Sequence, residues 1–230
     1  MNTVLNQKFD SQFDKIENLT WYPWIGKDYP DAERKILIVG DSHYTVDEDG
    51  NFDEDCYNDF ISNKNTTQEF AESYMNGTEW SFDRNLRLCL LNVDDKTLLK
   101  PLWEKIAFYN FIQEPMKQRD AKPTEAQYKI AWHCFVNLVE IIKPTDCIFI
   151  GVRSETCFGS CMDELGLQNS IDNMPEIING TAPREAFIHI SNDYCLKLLF
   201  IKHTSKYFSY EPWHEFLKKE MPEAMGFLKP

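Results

Sequence analysis

A chain of 230 residues with 43% hydrophobic and 14% aromatic content can bury one substantial core and suits a single domain, 1–230. Its formal net charge of −13 and pI near 4.8 argue against binding nucleic acid through the whole surface, which needs basic neutralisation of phosphates. A local basic groove remains open to it, because clefts focus fields that totals do not describe. No apolar run approaches the roughly 20 residues of a membrane span, and Met1–Lys15 is too polar for a signal sequence. The expectation is a cytoplasmic protein with no membrane partner, while the oligomeric state is not readable. Seven cysteines (Cys56, Cys89, Cys134, Cys147, Cys157, Cys161 and Cys195), mostly inside apolar runs, read as reduced core thiols. Cys157 and Cys161 stand one helical turn apart, but no second pair completes a metal site, so neither metal nor cofactor is expected.

Met1–Thr20 reads as a polar helix and a connecting loop, and Trp21-Tyr22-Pro23-Trp24 as an aromatic turn packed at a sheet edge. From Arg34 an unbroken apolar run, Ile36-Leu37-Ile38-Val39, enters Gly40 and then Asp41-Ser42-His43-Tyr44. Such a run predicts a strand buried on both faces, as in a parallel sheet covered by helices. Asp47–Asp59 is an acidic loop. Asp47, Asp49 and Asn51 match the opening of a calcium-binding EF-hand loop, but Phe52 and Asn58 break the pattern, so a solvated lid is expected. Helices are predicted over 59–74 and 80–91, separated by Asn76-Gly77.

Ile106-Ala107-Phe108-Tyr109-Asn110-Phe111 predicts a second buried strand, followed by a loop carrying Lys117, Arg119 and Lys122. Pro123-Thr124-Glu125 opens an amphipathic helix to about Ile142, with Ile130, Cys134, Val136, Leu138 and Ile141 as its buried stripe and His133 as an ordinary helix residue. Cys147–Gly151 predicts a third strand, 154–165 a short helix, and 166–184 a loop. Ala186–Ile190 is a further candidate strand. Leu198–Ile201 is a definite one, delivering Lys202-His203-Thr204-Ser205, and a closing helix covers 213–221.

Four strands alternating with helices predict a three-layer α/β/α sandwich around a mainly parallel four-stranded sheet. Right-handed crossovers then put all four carboxyl ends on one rim. Asp41, Ser42, His43, Tyr44, Asn110, Arg153, His203, Thr204 and Ser205 gather there, where open α/β sheets bind ligands.

This order of motifs resembles the uracil-DNA glycosylase-like superfamily, over about Lys35 to Trp213. The motifs are Gly-Asp-Ser-His-Tyr after one strand, Phe-Tyr-Asn-Phe in a second, Ile-Gly in a third and His203-Thr204-Ser205 after the last, where the family has His-Pro-Ser. It is most similar to a divergent bacterial branch with a Gly-Asp/Glu-Ser-His-Tyr first motif. The resemblance implies base flipping and hydrolysis of the bond between a base and deoxyribose in DNA. In it, Asp41 would orient water or steady the sugar cation, and His203 would donate to the departing base. Asn110 would read the base edge, Tyr44 would wall the pocket, Ser205 would touch a phosphate, and Ser42, His43 and Arg153 would complete the substrate site. Thr204, in place of proline, implies a looser loop, and Tyr207-Phe208 could supply a wedge. DNA would meet only a local basic rim of Lys117, Arg119, Lys197, Lys202 and Lys206.

Two other readings compete. Gly40-Asp41-Ser42 also resembles the first block of GDSL-type serine hydrolases, with Ser42 as nucleophile, Glu211 and His214 as acid and base, and Asn110 or Asn192 at the oxyanion. Alternatively, the rim binds a nucleotide, base or protein without catalysis.

Overall fold

The computed structural model describes residues 4–47, 49–78, 80–205 and 207–229. Its strands are β1 (Trp24–Ile25), β2 (Ile36–Gly40), β3 (Ile106–Asn110), β4 (Asp146–Ile150), β5 (Asn169–Asn173), β6 (Arg184–Ser191) and β7 (Tyr194–Ile201). They form one sheet in the order β1-β3-β2-β4-β7-β6-β5. The middle four, β3, β2, β4 and β7, are parallel and are the four strands predicted from their apolar runs. The sheet is nevertheless seven-stranded rather than four-stranded. β6 and β5 add antiparallel on one side and β1 on the other.

Of the extra strands, β6 contains the candidate run Ala186–Ile190, whereas β1 and β5 lack the signal that reveals the others. β5, expected as loop, reads Asn-Ser-Ile-Asp-Asn with no buried residue, so it exists through backbone pairing to β6 rather than through its own hydrophobicity. The predicted N-terminal helix is only α1 (Asp10–Phe13). The chain before it runs along the sheet edge instead, where the Asn6 N–H donates to the Ile25 carbonyl at 2.8 Å. Trp21, Tyr22 and Trp24 are buried, as their edge-packing role requires.

Side-chain alternation along the parallel strands divides the core in two. Leu37, Val39, Tyr109, Phe149 and Phe200 face α6 (Glu125–Ile142) and α7 (Phe158–Glu164). Ile36, Ile38, Phe108, Ile148 and Ile201 face α3 (Thr66–Met75), α4 (Ser81–Leu91), α5 (Leu99–Lys105), α8 (Tyr210–Glu220) and α9 (Pro222–Leu228). Helices therefore cover both faces. The predicted helix over 59–74 is two helices: α2 (Glu54–Ser62), which begins inside the stretch expected as acidic loop because Asp53 caps it by accepting the Cys56 N–H at 2.9 Å, and α3.

α6 begins where expected, closed by a capping box: Thr124 N–H donates to Gln127 Oε1 at 2.8 Å and Gln127 N–H donates to Thr124 Oγ1 at 3.3 Å. Its buried stripe is turned from the predicted one. Ile130 is 43% exposed, whereas Trp132 is fully buried amid Phe111, Phe135, Phe149 and Phe158. α8 starts at Tyr210, three residues before the predicted start, since proline is tolerated in a first turn whose N–H groups lack helical acceptors. The thiols are all free, and Cys195 is exposed rather than core. Among the described residues, no helix is long and apolar enough to cross a membrane.

At the amino ends of the strands, Arg34 donates to buried Asp146 and pairs with Glu223 of α9, each at 2.7 Å. Arg34→Ala leaves a buried carboxylate without its cation, which costs about 3 kcal/mol, the low end for a buried pair because Arg34 itself is partly exposed. Urea unfolding should show that loss.

Candidate active site

Strand register brings the predicted positions to one rim. Gly40 lies beside Asn110, and Ile150 beside Ile201. Gly151, at φ 142°, turns the chain out of β4 in a conformation that side chains rarely adopt, and leads into the helical turn Val152–Glu155 that carries Arg153. Asp41, Arg153 and His203 thus converge from β2, β4 and β7.

Asp41 is the centre of this cluster. Burial pushes its carboxyl above the usual range, while His203, the Tyr44 hydroxyl and the exposed Arg153 pull it down. Tyr128 of α6 also feels the Asp41 charge, which helps burial hold its phenol protonated. His203 is shifted the other way: burial lowers it, and Asp41 raises it. The His203 Nδ1 accepts the Ser205 N–H at 3.2 Å, so in the neutral ring the proton sits on Nε2. That leaves Nε2–H as a donor, with the ring packed 5.7 Å from Phe82.

The loop after β7 is fastened rather than loose. Thr204 is fully buried, its hydroxyl donates to the Phe82 carbonyl at 3.2 Å, and Asn85 Nδ2 donates to the Thr204 and Ser205 carbonyls at 2.7 and 3.2 Å. A threonine hydroxyl therefore does by hydrogen bonding what proline would do by ring geometry. Of the wedge candidates, Tyr207 projects, 91% exposed, whereas Phe208 stacks on Trp213.

Asn110 is buried and held from behind. Its Nδ2 donates to His43 Nε2 at 2.9 Å, and Thr67 Oγ1 lies 2.9 Å from the same nitrogen. The His43 ring sits among Trp21, Phe60 and Phe70, with centroids at 4.7, 5.5 and 4.8 Å. Burial there drives its pKa down to about 3, so the ring is neutral. His43 consequently stands behind Asn110 rather than at the open rim.

Ser42 and His214 are each bonded to backbone elsewhere. The Ser42 hydroxyl donates to the Glu114 carbonyl at 2.8 Å, while buried His214 donates from Nδ1 to the Cys89 carbonyl of α4 at 2.8 Å. The basic rim is also smaller than expected. Lys197 lies at the amino end of the sheet beside Asp146, paired with Glu185. Lys117 stacks over Tyr57 of α2 and Phe52 of the acidic loop, at 4.7 and 5.2 Å, and Arg119 donates to the Asp47 carbonyl at 3.0 Å. Lys202 donates to the Tyr207 carbonyl at 3.0 Å. Lys206 and the lid's Glu48 lie outside the described residues. Within the lid, Asp47 accepts the Asn51 N–H at 2.8 Å, and among the described residues no three His, Cys, Asp or Glu side chains gather as a metal site. Phe82, Tyr128 and Thr67 were not identified from sequence: none occupies a motif, and only the packing of distant helices places them here.

A cavity of about 180 Å³ opens behind this cluster, lined by Thr20, Gln113, Gln127 and Ile130, and holds none of Asp41, Asn110 or His203. No family model matches the chain, and no curated protein is significantly similar to it.

A carboxyl whose folded pKa is raised stabilises the fold below its unfolded pKa and loses that contribution as pH rises through the folded value. Asp41→Asn should therefore be more stable than the parent at neutral pH, seen as a higher Tm that converges with the parent's in acid. The same change removes the charge that raises His203, so the His203 pKa should fall further in an NMR titration.

Proposed function

We propose that this protein is a base-excising N-glycosylase, acting on uracil or another modified base flipped out of DNA. The observation that supports this most is the convergence of Asp41 and His203, in electrostatic contact, on the rim where Asn110 lies over Gly40. Breaking the glycosidic bond leaves electrons on the base and positive charge on the sugar. Asp41, ionised, would steady that charge and orient a water whose oxygen adds to the sugar carbon, the water's proton leaving through the carboxylate to solvent while the departed base anion takes a proton from solvent. The neutral His203 would donate its Nε2–H bond to the base oxygen that gains charge, an effect typically worth ~10²–10³ in rate per donor. Asn110 would read the base edge, and Phe82 and Tyr44 would wall the pocket. Arg153 and the Ser205 segment would meet phosphate. The finer likeness to the uracil-DNA glycosylase fold belongs to this same reading, supported by four parallel strands that each deliver their motif to one rim.

The serine esterase is not favoured, because Ser42 and His214 each bond elsewhere. Non-catalytic base or nucleotide binding uses the same rim and is separated only by assay.

The test is cleavage of end-labelled oligonucleotides carrying uracil, hypoxanthine, xanthine or hydroxymethyluracil at low salt, with alkali breaking any abasic site. Cleavage at one base, absent in Asp41→Asn, is the expected result, with a rate that climbs as pH rises because Asp41 must ionise and His203 must be neutral. No cleavage on any strand would transfer the rim to the binding reading. Gly40→Ala supplies a second check. Its Cβ would lie 2.6 Å from Asn110 Oδ1 and 3.0 Å from Phe108 Cζ, so the anchored amide must move. Displacement of about 1 Å at a reacting centre costs about 10²-fold, and kcat/KM of the variant should fall accordingly.

A further inference from the structure

Asn110 carries an amide with two unlike ends, and the end turned to the cleft decides what it can read. The oxygen accepts and the nitrogen donates, so reversing the amide inverts the pattern offered to a base. We propose that His43 is a positioning residue: its unprotonated Nε2 takes an N–H of Asn110, turns Oδ1 over Gly40, and makes the site select a base bearing a ring N–H. Uracil and other imides or lactams have that donor, whereas cytosine presents an acceptor nitrogen. This inference rests on the base-excision reading above.

Several observations fix the orientation. The Asn110 nitrogen and the Thr67 hydroxyl both lie 2.9 Å from one ring nitrogen, an arrangement in which Nε2 accepts and the ring proton sits on Nδ1. The surrounding Trp21, Phe60 and Phe70 rings keep the imidazole neutral in an apolar box. On the far side, Oδ1 lies 2.6 Å from where a Gly40 Cβ would stand, so it faces a Cα–H. Oxygen is favoured over a C–H, where an amide N–H would be repelled. Gln113 holds the backbone of the same residue, donating from Nε2 to the Asn110 carbonyl at 2.5 Å. Its Oε1 accepts the Thr20 and Trp21 N–H groups at 2.9 and 3.0 Å, which ties the reader to a wall of the histidine box. The amide and its support are thus one assembly, and a primary amide nitrogen carries a second N–H that would pair with the carbonyl next to a lactam N–H.

Two measurements on the full chain decide it. Long-range 1H–15N correlation should show His43 with Nε2 unprotonated and Nδ1 protonated, unchanged from about pH 5 to 8, where an ordinary histidine titrates. Chemical-shift titration with the free bases should show uracil binding at least about tenfold more tightly than 3-methyluracil, whose ring donor is blocked. His43→Phe, which fills the box without a ring nitrogen, should bring that ratio towards one and lower the Tm, because the buried Asn110 amide and Thr67 hydroxyl lose their shared acceptor. His43→Gln, whose side-chain oxygen reaches the Nε2 position, should restore the ratio. A proton on His43 Nε2, equal binding of the two bases, or binding of neither overturns the proposal, and the first needs no variant to fold. If tautomer and discrimination hold while no oligonucleotide is cut, His43's role stands and excision falls.

Discussion

Burial of the central parallel strands on both faces is the constraint from which the rest of this structure follows. Every residue of Ile36–Gly40, Ile106–Asn110 and Asp146–Ile150 is buried. A strand enclosed in this way has no solvent side on which to carry a charged group, so polar chemistry is displaced to its ends. Parallel direction and matched register then place four sets of polar residues at one rim. At the opposite end, the same constraint requires Asp146 to be met by Arg34 and the Thr145 hydroxyl. One end of the sheet is thus satisfied by ion pairing. The other keeps Asp41 and His203 in partial tension.

That tension is electrostatic and has a direction. Burial favours the neutral form of both groups, raising the acid and lowering the base, while each opposes the shift of the other. A buried carboxyl raised in this way costs stability in its ionised form that an asparagine would not. Behind them, the neutral His43 shows burial at its strongest. Among the described residues no opposite charge supports the imidazolium, and the ring becomes a fixed acceptor instead of a titrating switch.

Charge at the rim is arranged by contact more than by composition. Lys117 and Arg119 are engaged by the aromatic and backbone groups of the acidic loop and α2, while Arg153 stays exposed and close enough to Asp41 to influence it. On a chain with net charge −13, any phosphate would have to be met by such local cations.

The sequence alone determined the central sheet. Continuous apolar runs such as Ile36–Val39 and Leu198–Ile201 fit a covered sheet, and the glycines and polar residues after them mark the carboxyl ends of its strands. The start of α6 was equally readable, because Pro123, Thr124 and Glu125 act through local backbone geometry. Other features depended on partners far away in the chain. β5 has no hydrophobic pattern and exists because β6 offers hydrogen bonds. Ile130 faces outwards because Trp132 fits the aromatic core better. Thr204 secures a loop only because Phe82 and Asn85 lie beneath it. His43 shares a motif with Asp41 and Tyr44, yet its neighbours Thr67 and Asn110 stand 24 and 67 residues away and turn it inwards. Periodicity records whether a residue must leave water; the identity of the group it meets there is set by packing between segments that no local pattern connects.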